Sequence, residues 1–210
     1  KFLREHNARH DRLIKETLEQ FDAYPHEWNE FLEWFYSIPL FIDEDGFRVV
    51  HACWDQAMID EYLQRYGTNH ITRAMLPESV NMDTFLYRFL DRMLRGTSLK
   101  LPDGRSMTAK DGMVRQFFRT KFWAEQPEKY SDVVFQPDPL PEDIEHGILS
   151  REEKEQLLFY GPQEKPLFIG HYWMQGIPAP IVPNIACLDY SAVKYGRLVA
   201  YRWNGEQNLN

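Results

Sequence analysis

Hydrophobic and polar positions change rhythm several times along the chain. Leu3, Asn7, His10, Leu13, Ile14, Leu18 and Phe21 recur at helical spacing, which predicts a charged amphipathic helix over residues 1–24. Trp28, Phe31, Leu32, Trp34 and Phe35 predict a second helix over residues 25–35. The period then shortens. Ile38-Pro39-Leu40-Phe41-Ile42, the turn Asp43-Glu44-Asp45-Gly46 and the run from Phe47 to Ala52 predict a β-hairpin that ends at His51. Helical spacing returns from Asp55 to about Arg95 through Ile59, Tyr62, Leu63, Tyr66, Phe85, Leu86, Phe89, Leu90 and Leu94, as a helical cap or insertion.

Residues 113–123 fit both periods, and the reading favours strand. Residues 127–147 are rich in Pro and Asp and predict an extended surface connector. Ser150-Arg151-Glu152-Glu153 has the pattern of a capping box and predicts a short helix, with Gly161-Pro162 as its end. Pro166-Leu167-Phe168-Ile169-Gly170-His171 predicts a buried strand that ends, like the first hairpin, in a histidine. Asn184 to Asp189 and Gly196 to Trp203 predict two further strands joined as a hairpin across Tyr195-Gly196. The periodicity as a whole predicts a mixed α/β fold in one domain over residues 1–210.

Composition narrows the classes of function. Aromatic residues make up 15% of the 210 residues, six of them Trp, which is the content of a chain with a core. A net charge of -8 excludes a general nucleic-acid binder, which needs a basic face, but leaves room for a local basic pocket. No stretch approaches the roughly 20 apolar residues of a bilayer span, and no signal-peptide pattern opens the chain, so a cytoplasmic protein without membrane contact is expected. Cys53 and Cys187 lie in apolar strand-like segments and are expected to be free thiols. The helical pattern is already running at Lys1, which predicts that the chain is a piece of a longer protein.

The two strand-terminal histidines carry the chemistry. An imidazole placed where a strand ends offers a neutral ring nitrogen to a metal from a fixed position. His51 and His171 share that placement and similar aromatic surroundings, and are the candidate metal ligands. Trp54, Tyr172 and Trp173 follow them directly and could form an aromatic wall for a base, with core packing as the alternative. Arg115, Arg119 and Arg197 are candidates for phosphate contacts. His6 and His10 have a metal-compatible spacing on a helix but no third ligand nearby, and His26, His70 and His146 are read as surface or structural residues.

The ordered set Phe-Arg-Val-Val-His51-Ala-Cys-Trp, Phe-Ile-Gly-His171-Tyr-Trp and Asn184-Ile-Ala-Cys-Leu-Asp189-Tyr-Ser-Ala-Val, followed by Gly196-Arg-Leu-Val-Ala-Tyr, resembles the C-terminal half of calcineurin-like metallophosphoesterases. The branch it is most similar to contains the symmetrical diadenosine tetraphosphatases and the serine/threonine protein phosphatases. The resemblance covers residues 34–54 and 166–203 well and residues 55–165 loosely. It implies part of a metallophosphoesterase β-sandwich flanked by helices, with a helical insertion at about 55–100. It implies two divalent ions (Mn, Fe, Zn or Ni) that activate water against a phosphate ester or phosphoanhydride, with His51 and His171 on one ion. By the same resemblance Asp189 lies near the site, with satisfaction of backbone amides at the strand end as the alternative; Tyr190 and Arg197 are further candidates to line the substrate pocket. The implied substrate is a phosphate-containing small molecule, such as a dinucleoside polyphosphate, or a phosphoprotein.

Three family motifs are absent: Gly-Asp-x-His-Gly, Gly-Asp-x-x-Asp-Arg and Gly-Asn-His-Glu. Asp143-Ile144-Glu145-His146-Gly147 and Gly67-Thr68-Asn69-His70 do not replace them, the first by its spacing and the second by its helical context. The chain is therefore expected to start just after the third motif. The alternative function is a non-catalytic domain that keeps the sheet as a scaffold for protein contacts.

Overall fold

The computed structural model describes residues 8–108, 114–136 and 140–210. Residues 1–210, read from sequence as one domain, divide into two compact units. One comprises the chain up to Ile42 together with Gln56–Leu90, the other Asp43–Asp55 with Asp91–Asn210. The chain is mixed α/β. Among the described residues no helix is long and apolar enough to cross a membrane.

The first unit is mainly helical. It contains α1 (Ala8–Phe21), α2 (Pro25–Ser37), the start of β1 (Phe41–Asp43), α3 (Gln56–Tyr66), α4 (Leu76–Ser79) and most of α5 (Phe85–Arg95). Pro25 opens α2, where its missing N–H costs no hydrogen bond. The stripe on α3 buries Ile59 and Tyr62, and that on α5 buries Phe85, Leu86 and Phe89. Tyr62 stacks on Phe89 with ring centroids 4.2 Å apart, and Phe41 meets both rings edge-on. The buried Tyr62 hydroxyl donates to the His70 carbonyl at 2.7 Å, which satisfies the one polar atom the stack would strand. His70 in turn lies 3.0 Å from the Ser37 carbonyl through Nε2, a structural role as read from the sequence.

The second unit holds the sheets. Its strands are β2 (Arg48–Val50), β3 (Ser98–Lys100), β4 (Met107–Thr108), β5 (Val114–Arg115), β6 (Phe117–Thr120), β7 (Val134–Gln136), β8 (Leu167–Ile169), β9 (Ile185–Cys187), β10 (Asp189–Tyr190) and β11 (Arg197–Leu198). Between them stand α6 (Tyr130–Val133), α7 (Glu142–Glu145) and α8 (Arg151–Glu155). β2, β8 and β9 run parallel side by side, with Val49 opposite Phe168 and Phe168 opposite Ala186. Every residue of β8 and β9 is buried, as their unbroken apolar composition requires of strands covered on both faces. β3, β6 and β7 form an antiparallel sheet, and β4 with β5 and β10 with β11 form small antiparallel pairs.

Two cores result. Leu99, Leu101, Phe118, Tyr130, Val133, Val134, Ile144 and Leu149 pack together, while Phe168, Ala186 and Leu209 are covered by Phe47, Val49, Leu188, Tyr201 and Trp203. Burial of a side chain such as Phe118 contributes about 1.5–3 kcal/mol each.

Several expectations are corrected. Residues 127–147 are not a surface connector: Tyr130, Val133, Val134 and Ile144 are core residues of α6, β7 and α7. The polar content serves local turns there, because the Asp132 carboxylate accepts the backbone N–H groups of Glu128 and Lys129 at 3.0 and 2.9 Å and so starts α6. Pro137, Asp138 and Pro139 of that stretch lie outside the described residues, as do Met113 and His6. The helix begun by Ser150 ends at Glu155, well before Gly161. The terminal hairpin is two residues deep, and residues 199–203 form no strand. There Tyr201 and Trp203 pack on Phe168 and Phe47, with centroids at 5.2 and 5.0 Å, so the apolar alternation is used in packing.

Candidate functional site

The site lies within the second unit, at the carboxyl ends of β2 and β8. β2 and β8 are parallel neighbours, so the residues that follow them leave the sheet on the same side, the carboxyl end where ligands bind in such sheets. His51 follows Val50 directly and His171 follows Ile169 after one glycine. The Gly170 N–H donates to the His51 carbonyl at 2.9 Å, tying the two strand ends together. The Tyr172 N–H then donates back to the Gly170 carbonyl at 2.7 Å across His171, whose φ is +65°. That tight turn is one that non-glycine residues rarely adopt. The two imidazole rings lie with centroids 5.3 Å apart, inclined by 54°.

Arg119, from β6, joins them. One terminal nitrogen lies 3.0 Å from His171 Nε2, the other donates to the His171 carbonyl at 3.3 Å, and the guanidinium stands 5.6 Å over the Tyr172 ring. A guanidinium has only N–H donors, so Nε2 accepts and the proton of neutral His171 is assigned to Nδ1. Burial pushes the pKa of His171 down to about 4, helped by the charges of Arg119 and, when protonated, His51, while Asp189 opposes the shift. Burial lowers His51 as well, again against Asp189. Burial thus favours the neutral form of both rings. Asp189, on β10, holds the Ser191 N–H at 3.0 Å through Oδ1, and its carbonyl accepts the Met174 N–H at 2.8 Å.

Two neutral imidazoles that face each other fit two ligands of one divalent ion. They do not by themselves fit a pair of ions. Among the described residues no group of three or more His, Cys, Asp and Glu is placed to hold a metal. Arg119 also occupies the Nε2 lone pair of His171, so an ion at that atom requires the guanidinium to move.

The aromatic residues separate into two roles. Trp54 is 2% exposed and lies under the Arg48 guanidinium, 4.7 Å from its ring, and Tyr172 is fully buried among Phe122, Trp123 and Phe135. Neither forms an open wall for a base; both are core residues. Trp173 is 52% exposed. It lines a cavity of about 450 Å³ together with Tyr190 and Arg197, so three of the five residues expected to contact substrate meet in one place. The Tyr190 ring is buried and its hydroxyl accepts the Ala179 N–H at 3.0 Å.

The cavity also contains Lys194, Tyr195, Gln136 and Gln175, which sequence reasoning did not single out. Gln136 ends β7, Gln175 lies in the loop after His171, and Lys194 and Tyr195 lie in the turn between β10 and β11; none carries a local signal beyond its polarity. Arg119 differs: it was one of three arginines with equal standing, and strand pairing alone distinguishes it from Arg115, which is exposed on β5. Cys53 and Cys187 are free, and burial pushes both thiols up, so they remain protonated and unreactive. His26 lies 3.4 Å from Glu30 on the exposed face of α2, and His146 is exposed.

No family model, curated protein or solved structure matches this chain.

Proposed function

We propose that this chain is part of a metal-dependent phosphoesterase, similar to the calcineurin-like enzymes and acting on a phosphate ester or phosphoanhydride. The observation that carries the reading is the convergence of two imidazoles, His51 and His171, at the carboxyl ends of adjacent parallel strands. Their ring nitrogens would hold one divalent ion, drawn from Mn, Fe, Zn and Ni, of the two that the proposed chemistry uses. Such ions clamp the phosphoryl group and lower the pKa of water.

The chain's own residues divide the remaining work. Gly170 and the turn at His171 orient the two rings. Arg119, once released from His171 Nε2, offers a planar set of donors that matches phosphoryl oxygens. Asp189 holds the loop at Ser191 beside them. The substrate is a small phosphate compound, such as a dinucleoside polyphosphate, or a phosphoprotein, in the cytoplasm.

A second reading is favoured by the hold of Arg119 on Nε2 together with the incomplete ligand set: a non-catalytic scaffold in which a guanidinium has taken the place of an ion. Calorimetric titration of Mn²⁺, Zn²⁺ and Ni²⁺ into the protein separates the two, with hydrolysis of p-nitrophenyl phosphate followed in parallel. The phosphoesterase reading expects metal uptake that falls at least tenfold in His51→Ala and in His171→Ala. Uptake that is absent, or unchanged in both variants, sinks it and leaves the scaffold.

A further inference from the structure

We propose that the cavity bordered by Trp173, Lys194, Tyr195 and Arg197 is a binding site for an anionic ester whose organic part carries a planar aromatic ring, a nucleoside phosphate or an aryl phosphate. As a substrate subsite it rests on the phosphoesterase reading; as a binding site it stands on the following geometry alone.

Charge is the first observation. The chain carries a net charge of -8, yet among the described residues the cavity wall contains two cations, Lys194 and Arg197, and no carboxylate. A cationic, carboxylate-free concavity on an acidic protein concentrates anions at that place. Arg197 presents a planar fork and Lys194 a mobile point charge, the two complementary ways of meeting phosphate oxygens.

The second observation is the aromatic surface. Trp173 is half-exposed and Tyr195 is fully exposed, and both rings border the same cavity. The Lys194 ammonium lies 3.8 Å from the Trp173 ring centroid, and both side chains line the cavity, so a flexible cation stands over an indole that is otherwise half-exposed. A planar ring that stacks on the indole displaces the ammonium and frees it for the phosphate of the same ligand. One exchange thus engages both ends of the ligand.

Size and edge chemistry agree. A volume of about 450 Å³ falls within the range of small-ligand pockets. Gln136 and Gln175 place amides on the wall, each of which both donates and accepts, as the edge of a heteroaromatic ring requires. The site adjoins the histidine pair along the chain. Trp173 stands two residues beyond His171, and Asp189 precedes Tyr190 of the cavity wall.

The test is calorimetric binding in EDTA of four probes: AMP, phenyl phosphate, ribose 5-phosphate and inorganic phosphate. AMP or phenyl phosphate is expected to bind at least tenfold tighter than the two ring-free probes. Trp173→Ala is expected to erase that difference, Trp173→Phe to restore part of it, and Lys194→Ala and Arg197→Ala to weaken all four probes. A stronger response to AMP assigns the ring to a nucleobase, and a stronger response to phenyl phosphate assigns it to an aryl ester; either sustains the proposal. Equal binding of all four, no binding, or a ring preference that survives Trp173→Ala with far-UV circular dichroism unchanged overturns it. His26→Ala, on the exposed face of α2 and outside both sites, is expected to leave these affinities unchanged. A protein that binds AMP but takes up no metal loses the phosphoesterase reading and keeps this one.

Discussion

Acid should weaken this fold through His171, and the size of the effect follows from its surroundings. Burial, with the Arg119 guanidinium next in importance, holds the folded-state pKa of His171 at about 4 against 6.5 for a free imidazole. The difference of about 2.5 corresponds to roughly 3.4 kcal/mol at about 1.36 kcal/mol per pH unit. His171 keeps part of its surface in water, so solvent screening reduces this to roughly 1–2 kcal/mol. Between pH 6.5 and 4 the unfolded chain binds a proton at His171 that the folded chain refuses. The contribution is therefore complete above pH 6.5, is lost as pH falls toward 4, and changes no further below that.

Carboxylates titrate in the same window, so the measurement is a difference. Urea unfolding of the wild type and of His171→Asn, in EDTA from pH 7.5 to 4.5, should give a stability difference that shrinks by about 1–2 kcal/mol across the range. NMR titration of the His171 ring should place its midpoint far below 6.5. Arg119→Leu should raise that midpoint, because the second-largest cause is gone while burial remains. A His171 midpoint at or above 6.5, or a difference that does not vary with pH, refutes the account of the site as a buried pair pressed by Arg119.

Other perturbations test the packing around the site. Among the described residues the buried Tyr172 hydroxyl has no hydrogen-bond partner, so Tyr172→Phe should be neutral or stabilise by up to about 1 kcal/mol in urea unfolding, where loss of a satisfied hydroxyl would cost that much. A Cβ on Gly196 would lie 1.9 Å from the Tyr190 carbonyl oxygen, whereas one on Gly170 would meet nothing closer than 3.5 Å. Gly196→Ala should therefore disrupt the β10–β11 turn and abolish AMP binding, while Gly170→Ala should change unfolding by less than about 1 kcal/mol. Ser150→Ala removes the cap of α8, in which the Ser150 hydroxyl accepts the Glu153 N–H at 3.2 Å, and should cost about 1 kcal/mol in thermal unfolding.

The features legible in the sequence were those encoded over a few neighbouring residues. The capping box at Ser150, the helical period of α2, the buried stripes of α3 and α5, and the apolar runs of β2 and β8 each depend on spacing within one or two turns or one strand. His51 and His171 were visible as a pair for the same reason, since each sits at the end of a short run. Where local cues conflicted, the reading failed. The Pro and Asp of residues 127–147 suggested a connector because turn residues dominate a short window, although Tyr130 and Ile144 are spaced to reach one core. The alternation of residues 199–203 suggested a strand because it does not specify whether an apolar residue pairs with a neighbour or covers one.

Only the tertiary structure decided what meets at the site. That β2 and β8 are parallel neighbours, that Arg119 rather than Arg115 reaches His171, and that Trp173 faces a cavity while Tyr172 fills a core are all long-range outcomes. A side chain's type and local period determine that it is buried or presented. Its partners are set by strand order and by turns such as the one at His171, where rotating the backbone by one residue sends one ring inward and the next into solvent.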